Sequence, residues 1–118
     1  MKSIGSIESW HAHVYFAPEE TVRARALCEA VRDRFGIEMG RMHERPVGPH
    51  PTGSCQLSVP AQKFAEVASW LTLNRDGLDV FCHTETGDPL TDHCEHTLWI
   101  GRSHELRIDV LRALIAQR

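Results

Sequence analysis

The chain has 118 residues, 42% hydrophobic and 25% charged, a composition typical of a soluble globular domain and unlike that of a disordered segment. Thirteen Lys and Arg against sixteen Asp and Glu give a net charge of −3, which argues against a general nucleic-acid-binding protein, because such proteins need a basic face. No long uncharged apolar run and no apolar leader after Met1 occur. We therefore expect a single cytoplasmic domain over residues 1–118 that does not contact membranes.

The hydrophobic pattern predicts the order strand, helix, strand, strand, helix, strand. In that order, the predicted elements cover residues 10–16, 19–35, 37–45, 54–59, 60–74 and 78–83. This order predicts an α+β, ferredoxin-like βαββαβ fold: an antiparallel sheet with its first and third strands central and both helices on one face. A polar loop over 84–96, an apolar stretch over 97–100 and a last helix over about 103–117 add an extra C-terminal strand and helix.

One face of the predicted sheet is unusual in composition. Alternate residues of a strand share a face, so Ala12, Val14 and Phe16 should meet the helices. The opposite face is then expected to carry polar and aromatic side chains: His11, His13, Tyr15, Ser54, Gln56, Ser58, Phe81 and His83. A solvated face would more often carry Lys, Glu and Thr, so this set is typical of a binding-site lining.

Eight histidines in a chain of this length are the main functional clue. The Cα atoms of His11 and His13 should lie about 6.6–6.8 Å apart on one strand face. His83 should approach them, because the fourth strand runs antiparallel beside the first. Imidazole is the commonest metal ligand in proteins, so the three rings form a candidate metal site. The alternative is a set of hydrogen-bonded histidines that hold no metal.

Further candidates lie in the loops. His96 could add a ligand, as could a nearby carboxylate from this set: Glu85, Asp88, Asp92 and Glu95. His50, in a stiff Pro-flanked loop, and His93 are candidates for moving protons, although either residue could be an ordinary loop histidine. His43 and His104 have no evident partner. The four cysteines form no CxxC pair, and we expect most of them to be buried thiols.

Several separated motifs share an order with one enzyme family. They are Trp10–Phe16, Gly48–Pro51 leading into Ser54–Ser58, Leu73–Arg75, His83–Asp88, Asp92–His96 and Leu98–Gly101. Over roughly residues 8–101, the chain resembles the DOPA 4,5-dioxygenase family of small aromatic ring-cleaving dioxygenases. The terminal helix lies outside these motifs.

The resemblance implies a ferredoxin-like fold and extradiol cleavage of a catechol such as DOPA by dioxygen at a non-haem metal. It places Fe(II) between His11, His13 and His83, with His96 or a carboxylate as a further ligand, although an all-histidine site also suits zinc. In this hypothesis His50 or His93 moves protons. Four residues would contact the substrate: Tyr15, Ser54, Gln56 and Phe81.

Two other classes of function stay open at this point. One is a zinc-dependent enzyme of another type, and the other is a non-enzymatic dimeric module that binds a metal or a small ligand. A homodimer is expected in each case, because an open half-polar sheet face with Phe81 exposed would be buried by a second copy of the chain.

Overall fold

The computed structural model describes residues 1–117, so the last residue of the expected 1–118 domain lies outside the described part. Its centre is one five-stranded antiparallel sheet of order β2-β3-β1-β4-β5. The strands are β1 (Ser9–Phe16), β2 (Glu38–His43), β3 (Gly53–Pro60), β4 (Asp79–Glu85) and β5 (Thr97–Ile100). The helices are α1 (Thr21–Phe35), α2 (Phe64–Asn74), α3 (Pro89–Cys94) and α4 (Ile108–Ala116). The α+β class and the predicted central strands are confirmed.

The first helix shows why the element boundaries fall where they do. A 3₁₀ turn over Pro18–Glu20 precedes it, and the Glu20 carboxylate accepts a hydrogen bond from the Ala17 N–H at 2.8 Å. The helix ends at Gly36, whose φ of 64° places it in the left-handed region that glycine adopts without strain. Sequence signals at both ends therefore locate α1 to within a few residues.

The hydrophobic core lies between the sheet and the pair α1 and α2. Ala12, Val14 and Phe16 of β1 face this core, as the alternation predicted. The helices contribute Ala24, Leu27, Cys28, Val31, Val67 and Leu71. Cys28, Cys55 and Cys82 are buried free thiols, and Cys94 is exposed. Burial raises the pKa of the Cys82 thiol to about 12, so that thiol is inert.

The histidine face of the sheet is covered, contrary to the open face that the sequence suggested. Phe81 is fully buried, not exposed, and therefore no longer supports a dimer. The loop over 44–52, helix α3 and the C-terminal segment cover this face, and the Arg107 N–H donates to the Pro49 carbonyl at 2.7 Å. Trp99 packs on this face against Phe81, with ring centroids 4.6 Å apart, rather than in the main core.

Two segments differ from their predicted conformation. The polar loop after β4 contains α3, which begins where Asp88 caps the helix and Pro89 takes its first position. The last helix begins at Ile108 rather than near 103, because residues 103–107 run across the sheet face first. Among residues 1–117, no helix has the length and apolarity needed to cross a membrane.

Candidate metal centre

Three histidine side chains converge on the covered face of the sheet. The register pairs His11 of β1 with His83 of β4, and His13 lies on the same face two residues along β1. One ring nitrogen from each lies within 4.8 Å of the other two. Nε2 of His13 and Nε2 of His83 are 3.0 Å apart. Two nitrogens that share one ion at about 2.0–2.1 Å stand roughly 3 Å apart, so this spacing suits a shared metal.

An oxygen atom lies close to the other ring nitrogen of two of these candidate ligands. Nδ1 of His83 lies 3.0 Å from the Thr84 carbonyl oxygen, and Nδ1 of His11 lies 2.9 Å from Oε1 of Glu85. The Thr84 carbonyl accepts a hydrogen bond from Nδ1–H of His83, and the Glu85 carboxylate favours a proton on Nδ1 of His11, so the Nε2 lone pairs of both neutral rings are available to a cation. An oxygen behind each ligating imidazole is the usual arrangement at metal sites, because it fixes both the tautomer and the ring orientation.

The burial of the cluster keeps its imidazoles neutral. Desolvation lowers the pKa of His83 to about 3, with a further contribution from the charge of His93. The pKa of His13 lies well below its usual value, again mainly through desolvation, and His50 and His83 add repulsion. A neutral ring keeps the lone pair that a metal requires. The donor set therefore fits zinc, ferrous iron or a related ion.

Tyr15 joins His50 to this cluster. Nδ1 of His50 lies 2.7 Å from the Tyr15 hydroxyl, and the ring centroids of His50 and His13 are 4.1 Å apart. Desolvation lowers the pKa of His50 to about 4 and raises that of Tyr15. The loop residue expected to handle protons thus lies beside the candidate ligands.

His93 lies on the other side of the cluster, on helix α3. Its ring centroid is 3.9 Å from that of His83, and its Nδ1 donates to the Pro89 carbonyl at 2.7 Å. The neighbouring Asp92 is buried and accepts hydrogen bonds from both Thr84 and Thr86. Asp92 therefore fastens α3 to the end of β4 and fixes the position of His93.

His96 does not join the three-histidine group. Its Nε2 lies 3.2 Å from the Lys2 ammonium group, and its Nδ1 lies 3.4 Å from the Asp92 carboxylate. With both nitrogens engaged, His96 is poorly placed as a further ligand. The candidate metal-binding group among residues 1–117 also contains no carboxylate.

The four candidate carboxylates have other surroundings. Glu85 lies behind His11, Asp92 is bonded to threonines, Asp88 caps α3, and Glu95 is exposed. Burial is the main cause that raises the pKa of Glu85. Glu85 therefore lies where it can orient the ring of His11, a candidate ligand.

The expected substrate-contacting residues lie around the cluster but differ in accessibility. Gln56 is half-buried, with its Nε2 3.5 Å from Nε2 of His11 and 3.1 Å from the Ser58 hydroxyl. Tyr15, Ser54 and Phe81 are buried, so they form the interior wall of the site and are not open to solvent. A cleft of about 550 Å³ opens beside His93. Its wall includes Trp99, His104 and residues at the start of α4.

His104 is the residue that the sequence did not connect to the site. Its Nε2 donates to the Asp79 carboxylate at 2.9 Å, and its ring meets the Tyr15 ring edge-on at 5.2 Å. Gly101 leaves room for the Asp79 and Arg75 side chains, because a Cβ there would lie 2.5 Å from Oδ1 of Asp79 and 2.5 Å from Nη1 of Arg75. Since His104 lies outside any strand, no periodicity could have predicted its partners.

Comparisons with known proteins identify the family to which this chain belongs. The model of the Dopa 4,5-dioxygenase family matches residues 10–110. A curated DOPA 4,5-dioxygenase of Amanita muscaria is 34% identical over 112 residues, which cover 86% of this chain and 49% of that protein. The chain thus spans about half the length of that relative. An uncharacterized 21.2 kDa protein of Botryotinia fuckeliana is 26% identical over 93% of this chain and 67% of its own length.

A solved structure is also similar. The crystal structure of a candidate dioxygenase from Nostoc punctiforme PCC 73102 shares 38% sequence identity and a TM-score of 0.84, covering 97% of this chain and 99% of that one. With the family model matching most of the sequence, the chain belongs to the Dopa 4,5-dioxygenase family.

Proposed function

We propose that this protein is an extradiol-type dioxygenase that opens the ring of a catechol such as DOPA with Fe(II) held by His11, His13 and His83. The observation that carries the proposal is the convergence of three imidazole nitrogens within 4.8 Å. Family membership favours this chemistry over the alternatives. Bound ferrous iron supplies a Lewis acid that favours an ionised catechol and holds it near dioxygen.

The residues around the centre would supply orientation and proton transfer. Glu85 and the Thr84 carbonyl hold the rings of His11 and His83. His50 and His93 are the proton-handling candidates, because each lies directly against a candidate ligand. The buried aromatic rings beneath them exclude water, which strengthens electrostatic interactions within the site.

The substrate would enter through the cleft beside His93. Trp99 and His104 form part of its wall, so an aromatic ring can pack there on apolar and polarizable groups. Gln56, at the half-buried side of the cluster, is the candidate for holding a polar substituent of the substrate. Dioxygen is the second substrate.

The test loads the full chain with Fe(II) under anaerobic conditions and then adds DOPA and oxygen. Oxygen consumption with a yellow ring-fission product, lost in His13→Ala and His83→Ala but kept in His43→Ala, supports the proposal. His43 is a suitable control because it lies on β2, outside the three-histidine group. Activity that depends on zinc and consumes no oxygen would instead favour the alternative, a zinc-dependent enzyme of another type.

A further inference from the structure

Two imidazoles flank the candidate ligands in a row. The ring of His50 lies 4.1 Å from that of His13, and the ring of His93 lies 3.9 Å from that of His83. Both flanking rings lie 6.2 Å from the ring of Phe81. The sequence assigns these two histidines the same potential role, but their hydrogen bonds differ.

His93 is held with its proton on Nδ1. That atom lies 2.7 Å from the Pro89 carbonyl oxygen, which accepts hydrogen bonds and cannot donate one. In a neutral imidazole the other nitrogen then carries a lone pair. Nε2 of His93 has no partner among residues 1–117 and is not sealed from solvent, so it is free to accept a proton.

His50 is held in the opposite sense. Its Nδ1 lies 2.7 Å from the Tyr15 hydroxyl, which has no other acceptor in the described part of the chain. The buried Tyr15 hydroxyl can therefore donate its hydrogen bond only to Nδ1 of His50. Because Nδ1 acts as the acceptor, the ring proton of a neutral His50 lies on Nε2. Nε2 of His50 is then a donor, and it too has no partner among the residues described.

The Tyr15 ring that imposes this direction is itself fixed. His104 meets it edge-on at 5.2 Å, and Trp99 meets it at 5.8 Å. Asp79 holds His104 through a 2.9 Å hydrogen bond and also accepts from the Arg102 N–H. Asp79 and His104 therefore help to hold the Tyr15 ring in place beside His50.

We propose that His50 and His93 are held as opposite tautomers, so that His93 is the proton acceptor and His50 the hydrogen-bond and proton donor of the site. These roles rest on the proposed function. A catechol O–H bond breaks, its proton bonds to Nε2 of His93, and its electron pair stays on the catechol oxygen. On the other side, the Nε2–H of His50 is directed to an oxygen that gains negative charge, and full transfer would leave the nitrogen lone pair on His50.

Histidine ring ¹⁵N NMR tests the tautomers directly, without turnover. The metal-free full chain is measured at neutral pH, and His50→Gln and His93→Gln assign the signals. We expect a protonated Nε2 for His50 and a protonated Nδ1 for His93. Tyr15→Phe should abolish the His50 preference and leave the His93 signals unchanged. The same tautomer at both residues, or a His50 ring unaffected by Tyr15→Phe, would overturn the proposal.

The acidity of the substrate tests the roles. 4-Methylcatechol still has to lose its first proton at neutral pH, whereas 4-nitrocatechol is largely ionised. We expect the loss of kcat in His93→Ala to be at least about 10-fold smaller with 4-nitrocatechol, while the loss in His50→Ala is similar for both substrates. Equal losses in His93→Ala would contradict the acceptor role. If the wild type opens neither catechol, the proposed function fails, and the NMR result still decides the tautomers.

Discussion

Asp92 offers a sharp test of how the site is held together. The buried carboxylate accepts hydrogen bonds of 2.7 Å from the Thr84 hydroxyl, 2.7 Å from the Thr86 hydroxyl and 2.9 Å from the Thr86 N–H. In Asp92→Ala, the buried Thr84 hydroxyl loses the acceptor of its hydrogen bond, which costs about 2–3 kcal/mol. The two Thr86 donors are partly exposed and can be rehydrated, at about 0.5–1 kcal/mol each. We therefore expect a loss of about 3–5 kcal/mol in the free energy of unfolding.

Asp88→Ala is the matched control, because Asp88 caps the same helix from an exposed position. Loss of such a cap costs about 1 kcal/mol. Urea unfolding of the two variants, followed by tryptophan fluorescence, measures the difference. If Asp92→Ala costs no more than Asp88→Ala, Asp92 does not fasten α3, and the placement of His93 needs another explanation.

Three further predictions concern the surroundings of the site. Gly101→Ala should lower the free energy of unfolding by about 2 kcal/mol more than Gly87→Ala in urea unfolding, because only a Cβ at 101 would meet Asp79. Gly87 is the matched control, since both glycines have a similar positive φ (95° and 93°). Equal losses would show that the contact with Asp79 does not restrict residue 101. Glu85→Gln should weaken metal binding by about 10–100-fold in calorimetric titration, because His11 loses the charged group that orients its ring. An unchanged affinity would exclude an orienting role for Glu85. Burial lowers the pKa of His50 to about 4, below its unfolded value of 6.5, so protons stabilise the unfolded chain as the pH falls below about 6.5. The free energy of unfolding of the metal-free protein should therefore fall by about 2 kcal/mol by pH 5 because of this residue. The same loss of stability in His50→Gln would contradict this.

The sheet and its polar face were predictable because strand periodicity is a local property. Alternation in β1 placed His11 and His13 opposite the core, and the antiparallel order of the first and last predicted strands brought His83 to the same corner. Register then follows from keeping the apolar residues on one face. The three-histidine group was therefore accessible from the sequence.

The cover over this face was not predictable in the same way. His104 meets Asp79 from an irregular segment, and α3 is too short for a helical period to stand out. His96 was a reasonable candidate ligand by spacing, but contacts with Lys2 and Asp92 engage both its nitrogens. Contacts between irregular segments distant in sequence leave no periodic signal, and this explains why Phe81 was wrongly expected to be exposed.

Metal binding measured without turnover tests the central claim most directly. The full chain is loaded with Fe(II) anaerobically, desalted and analysed for iron, beside His13→Ala and His43→Ala. The three-histidine geometry predicts about one ion per chain in the wild type and in His43→Ala, and at least about 10-fold less retained iron in His13→Ala. Equal iron retention in His13→Ala, or none in the wild type, would contradict a metal centre at these residues.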